Sequence, residues 1–146
     1  MEEEEVMDVL QQRVLLAMKL TNDFYHHINE ICLNMKISNV PSNTIGEQAY
    51  CLIGARESYL KALQIGEWAG FDCSLNATYD KNLIISKLEE TYIKLEEFFQ
   101  EDNLEENIHL LIDLLEHEVQ HHGQLIRYTY ANKMDFSKSW SVRYTV

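Results

Sequence analysis

The chain holds one proline, Pro41, and five glycines in 146 residues. So few breakers exclude a turn-rich fold and leave room for long helices. It also lacks any apolar run near the ~18 residues that a membrane span requires, so no membrane partner is expected. Its three cysteines, Cys32, Cys51 and Cys73, include no CxxC pair. An odd number without an export signal reads as thiols rather than a disulfide framework. Basic residues are scarce: 12 Lys and Arg stand against 24 Asp and Glu, a formal net charge of −12. A duplex-binding surface needs clustered cations to replace phosphate counterions, so nucleic acid is not an expected partner. The same charge disfavours anionic membrane surfaces and favours solubility. The acidic start, Met1-Glu2-Glu3-Glu4-Glu5, is the opposite of a secretory n-region, and the expected compartment is the cytoplasm.

What is present is helical periodicity. No segment alternates with period 2 over a useful length, so strands are not expected. Residues ~4–35 read as helix 1, with Val6, Leu10, Val14, Ala17, Leu20, Phe24, Ile28, Ile31 and Met35 at helical spacing. Thr44 and Glu47 form a capping-box pattern that opens helix 2 at ~44–65. Gly54 inside it costs roughly 1 kcal/mol against Ala, which suggests a close neighbour, a cavity or a tolerated accident. Helix 3 follows at ~80–100, a short turn at 101–103, and helix 4 at ~104–132. The last residues read as an ordered tail. Trp68, Phe71, Trp140 and Tyr144 either line a pocket, form a subunit contact or cap the helices. No repeat or linker divides the chain, so residues 1–146 form a single domain.

Loop lengths set the expected topology. The links between helices 1 and 2, and between 3 and 4, are short and predict antiparallel pairs. The 14 residues from Gly66 to Tyr79 can stretch to roughly 46 Å. A 22-residue helix is about 33 Å long, so this link can cross the whole bundle. The expected fold class is all-α: an up-down-down-up four-helix bundle with a long crossover between helices 2 and 3.

The most informative stretch runs from Leu110 to Tyr128. His117 and His121 stand four residues apart, on one face of helix 4 with Leu110, Leu114, Leu125 and Tyr128. His117-Glu118-Val119-Gln120-His121 also matches HExxH, in which two histidines bind zinc and the glutamate is the general base. That chemistry needs a third ligand. No Glu or His follows His122, and Gln124 and Arg127 occupy the places of the extended motif. The protease reading is set aside. The bland alternative is a pair of core-edge histidines satisfied by hydrogen bonds, but two titratable rings on an inner stripe are costly to bury unless something coordinates or pairs them. His109, His122, His26 and His27 fall on other faces or helix 1 and read as surface or helix-end residues. Cys51 is either a small buried hydrophobe or a soft ligand that completes a Cys-His-His set with an open fourth position.

Three segments resemble the DinB/YfiT-like superfamily of small bacterial four-helix proteins. Thr44-Ile45-Gly46-Glu47-Gln48, with Gly54-Ala55-Arg56-Glu57-Ser58-Tyr59, is similar to its second helix. His117 to Leu125 resembles its H-x-x-x-H-x-G-Q-L signature. Phe136-Ser137-Lys138-Ser139-Trp140 resembles its terminal F-P-x-S-W segment. The resemblance implies the same up-down-down-up bundle and a homodimer. It implies a divalent metal, zinc or nickel, held by one histidine of helix 2 and two of helix 4, the latter matching His117 and His121. It also implies chemistry with a low-molecular-weight thiol such as bacillithiol or mycothiol. Cys51 stands where the helix 2 histidine is expected.

The metal ligands expected are therefore Cys51, His117 and His121, with Gly123 allowing close helix approach and Gln124 as partner of a ligating ring. The function expected is a metal-dependent thiol transferase or hydrolase acting on a small-molecule substrate. The alternative is a non-catalytic, metal-free dimeric helical module for binding or stress response. A transferase using Cys51 directly lacks support, because no basic neighbour in sequence lowers its pKa.

Overall fold

The computed structural model describes residues 2–101 and 107–146. Those residues form helices and no strands: α1 (Glu3–His27), a 3₁₀ helix (Glu30–Asn34), α2 (Ile45–Ile65), α3 (Lys81–Glu101), α4 (Ile108–Ala131) and α5 (Lys138–Tyr144). None of these helices is long and apolar enough to cross a membrane. Glu101 is the last residue of α3. The rest of the expected turn, and the expected start of helix 4 near 104, lie outside the described residues.

The expected long first helix is two pieces. At Ile28 the backbone is extended, with φ −75° and ψ 152°. Lys81 ends the helix from outside: its Nζ donates to the carbonyls of His26 (2.9 Å) and Ile28 (2.7 Å). A cation on the last carbonyls satisfies groups that another helical turn otherwise takes. The chain then resumes as the 3₁₀ helix that buries Cys32 and Leu33, and the expected helical spacing ends at the break: Ile31 is 72% exposed.

The start of α2 follows its sequence signal. Thr44 Oγ1 accepts from the Glu47 amide and Glu47 Oε1 accepts from the Thr44 amide, both at 3.0 Å. Gly66 closes the helix in the left-handed region, φ 89°. From there the long link lies along α2. The Asp72 amide donates to Ser58 Oγ at 2.9 Å, Cys73 Sγ donates to the Tyr50 carbonyl at 3.3 Å, and the Thr78 carbonyl abuts Gly46. The link thus runs from the C-terminal part of α2 back to its start. Gly54 does have a close neighbour, since a Cβ there meets the Phe71 ring at 2.2 Å. Gly123 does not serve helix approach: it is exposed, with nothing within 4 Å of a Cβ.

Two apolar clusters fill the interior. One joins Leu20, Phe24 and Tyr25 of α1 to Ile45, Leu52 and Ile53 of α2, Ile84 and Leu88 of α3, and Leu125 and Tyr128 of α4. The other joins Met7, Val14 and Met18 of α1 to Leu63 of α2, Leu95, Phe98 and Phe99 of α3, and Leu111 and Leu114 of α4. Trp140 is buried in the first cluster and its Nε1 donates to the Leu20 carbonyl at 2.6 Å. This tryptophan is a core residue that pins α5, whereas Trp68 and Phe71 are about half exposed.

The glycines give a paired prediction, read by urea denaturation at neutral pH. Gly123→Ala adds helix propensity in open space and raises stability by up to ~1 kcal/mol. Gly46→Ala drives a methyl into the Thr78 backbone and lowers stability by roughly 1–3 kcal/mol.

Candidate functional site

Between the two clusters lies a buried polar layer. The Arg56 guanidinium of α2 donates to Glu118 of α4 through Nε (3.3 Å) and Nη2 (2.8 Å). Nη1 donates to the Leu88 carbonyl (2.9 Å) and Thr91 Oγ1 (3.3 Å) of α3, and Nη2 to the Met18 carbonyl (3.0 Å) of α1. The side chains of Arg56 and Glu118 are both fully buried. Burial pushes the Glu118 carboxyl up, but the charge and hydrogen bonds of Arg56 outweigh it and hold it below the usual carboxylate range. Glu118 is therefore an ionised structural anion with both oxygens engaged. A general-base role within HExxH is closed to it.

Glu118 anchors a directed chain of hydrogen bonds. Thr21 Oγ1 donates to Glu118 Oε2 at 2.6 Å. His122 Nε2 stands 2.7 Å from Thr21 Oγ1, and Tyr144 Oη 2.6 Å from His122 Nδ1. With the threonine proton given to Glu118, His122 donates through Nε2 and accepts the Tyr144 proton at Nδ1. Burial pushes His122 down to about 4, with Glu118 opposing. The expectation of a surface His122 is corrected: this ring is buried and joins α4 to α1 and α5. His26, His27 and His109 are exposed, as expected.

His117 and His121 line the other flank of α4. Their ring centroids are 4.5 Å apart and their Nε2 atoms 3.3 Å apart. A second polar chain orients His121. Tyr128 donates to Asn43 Oδ1, Gln48 Nε2 donates to that same oxygen at 2.9 Å, and Gln48 Oε1 is left to accept from His121 Nδ1. A proton on Nδ1 leaves the His121 Nε2 lone pair aimed at His117. Nδ1 of His117 is buried without a hydrogen-bond partner. Burial lowers the pKa of His117, and burial followed by the neighbouring His117 pushes His121 down to about 4. Both rings are neutral at neutral pH, the protonation state that a metal ligand requires.

Cys51 is half-buried on α2, and burial, then Glu47, push its thiol up rather than toward thiolate. The residue of α2 that meets His121 is Gln48, three positions before Cys51. Among the described residues, no three His, Cys, Asp or Glu side chains gather into a group that could hold a metal ion. The structure thus pairs His117 with His121 and leaves Cys51 outside a three-ligand set. The two imidazoles fit a metal by protonation state and convergence; the third expected donor does not come with them.

The sequence reading missed Arg56, Glu118 and His122 as the polar layer, and Gln48, rather than Gln124, as the glutamine that meets a ring nitrogen. One signal was available: opposite charges on two inner stripes, Arg56 four residues after Leu52 and Glu118 four after Leu114. No protein-family model and no curated protein sequence matches the chain.

The two rings held near 4 set the pH dependence. Each binds its proton near 6.5 when unfolded and only near 4 when folded, so on acidification the unfolded chain takes up protons first. Urea midpoints are therefore highest above about pH 6.5 and fall toward pH 4, with a slope approaching ~1.4 kcal/mol per pH unit for each ring. Replacing His122 with Gln flattens that slope. Glu118→Gln strips Arg56 of its counter-charge and, measured at pH 7, costs roughly 3–5 kcal/mol.

Proposed function

We propose that the chain is a DinB-like, up-down-down-up four-helix protein, a cytoplasmic homodimer that acts on a small molecule through a divalent-metal half-site at His117 and His121. The topology is supported by the two clusters. The C-terminal half of α1 packs with the N-terminal halves of α2 and α3 and the C-terminal half of α4. Met7, Val14 and Met18, nearer the start of α1 than the first cluster's residues, pack with their opposite ends. This grouping favours α1 and α4 running one way and α2 and α3 the other. The link lying back along α2 favours the same order.

The observation that carries the metal reading is the 3.3 Å separation of the two Nε2 atoms. Two nitrogens each ~2.0–2.1 Å from a tetrahedral zinc ion stand about 3.3 Å apart. Gln48 fixes the tautomer of His121 as outer partners of ligating histidines do. With Cys51 outside the group, the remaining positions fall to water or to the thiol of a substrate. Zinc or nickel bound there would supply a Lewis acid that lowers the pKa of that water or thiol. Thiol transfer or hydrolysis on a small molecule is the reaction class consistent with such a site.

A second reading rests on a specific observation: Gln48 already satisfies His121, and the two rings can share one hydrogen bond without a metal. On that reading the chain is a metal-free binding module. Calorimetric titration of zinc and nickel into protein purified without chelator or affinity nickel separates the two. The metal reading predicts one ion per chain, no binding in His117→Ala or His121→Ala, and binding weakened about 10–100-fold in Gln48→Ala. Absence of binding, or binding indifferent to both histidines, leaves the metal-free module.

A further inference from the structure

Residues of α1 and of α5 line an open groove of about 480 Å³. Its apolar surface comes from Leu16 and Val142, which are 43% and 73% exposed, and from the buried Leu20 beneath them. Its charged rim holds Lys19, Lys138 and Arg143 against a single acid, Asp23. A smaller cavity of about 140 Å³ shares Leu16, Leu20 and Arg143 with it and adds Arg13.

The charge here runs against the rest of the molecule. Acids outnumber bases 24 to 12 along the chain, yet four of those 12 bases line this one region beside one acid. Among the described residues none of the four is held in an ion pair. Arg143 lies over the Tyr144 ring, 5.2 Å from its centroid, which steadies a guanidinium that borders both cavities. A neutral apolar ligand leaves these cations unused, and a cationic one is repelled by them. The volume lies within the roughly 300–1,000 Å³ of small-molecule sites. The exposed apolar surface, two side chains, is far short of the roughly 800 Å² per partner of a standard protein interface.

We propose that the groove binds a small single-chain anionic amphiphile of the alkyl carboxylate class. The chain lies on Leu16, Leu20 and Val142, and the carboxylate is taken by Arg143 with Lys19 or Lys138. Arg143 offers the planar fork that a carboxylate accepts in two hydrogen bonds. This site is separate from the histidine pair and does not depend on the metal reading.

The test is calorimetric titration of the full chain with decanoate below its micelle concentration, at low ionic strength. Butyrate and decyltrimethylammonium are run beside it. One decanoate per chain is expected, with both comparison ligands at least tenfold weaker. Lys19→Glu and Lys138→Glu, both on exposed positions, are each expected to weaken decanoate several-fold, and Val142→Asp at least tenfold, with melting temperatures unchanged. Equal affinity for decyltrimethylammonium makes the groove a mere apolar patch and overturns the proposal. So do equal affinity for butyrate, no decanoate binding, and binding indifferent to all three substitutions.

Discussion

The ion pair between Arg56 and Glu118 is the constraint on which the rest of the structure depends. Two charges removed from water cost several kcal/mol each, and the cost is recovered only where every donor and acceptor finds a partner. Arg56 meets that condition with five hydrogen bonds that reach α1, α3 and α4 from α2. No apolar contact has that directional demand. A leucine in place of Arg56 tolerates a slip of one helix along another, whereas the guanidinium fork accepts one register only. The pair therefore sets how far each helix is advanced past its neighbours, and it separates the two apolar clusters that supply most of the burial.

The rotation of α4 follows from the same bond. With Glu118 turned inward onto Arg56, its neighbours take fixed directions. His122, one turn on, falls between α1 and α5 and closes the chain through Thr21 and Tyr144. His117 and His121 fall on the flank toward α2, where Gln48 waits. Two histidines adjacent in sequence thus serve the two flanks of the Glu118 stripe. One ties the terminal helix to the core, and the other turns a free lone pair toward a second imidazole. Because both are buried and neutral, acid undoes them together, and the structural and the chemical parts of the layer share one pH limit.

Much of the fold was legible in the sequence because helices leave a periodic trace. The capping box at Thr44 and Glu47 and the end of α2 near residue 65 follow from local rules. The break at Ile28 does not, because its cause is Lys81, some fifty residues away in the chain. The histidine pair was legible for the same reason as the helices: i and i+4 is a local relation. The polar layer was not, since whether Glu118 faces Arg56 or water depends on how two helices are rotated against each other. The place of Cys51 turns on a similar relation. A match by motif places it on the helix that meets His121, and the side chain of that helix that reaches the ring is Gln48, three positions earlier.

The central claim is that burial beside His117 keeps His121 neutral and that Gln48 holds its proton at Nδ1, with a bare Nε2 directed at His117. Long-range proton–nitrogen NMR of the imidazole rings at pH 7 reads both protonation state and tautomer directly. The geometry predicts a neutral His121 with its proton on Nδ1, and a switch of tautomer or protonation in Gln48→Ala. A His121 that is an imidazolium at pH 7, or neutral with its proton on Nε2, contradicts the claim and removes the half-site with it.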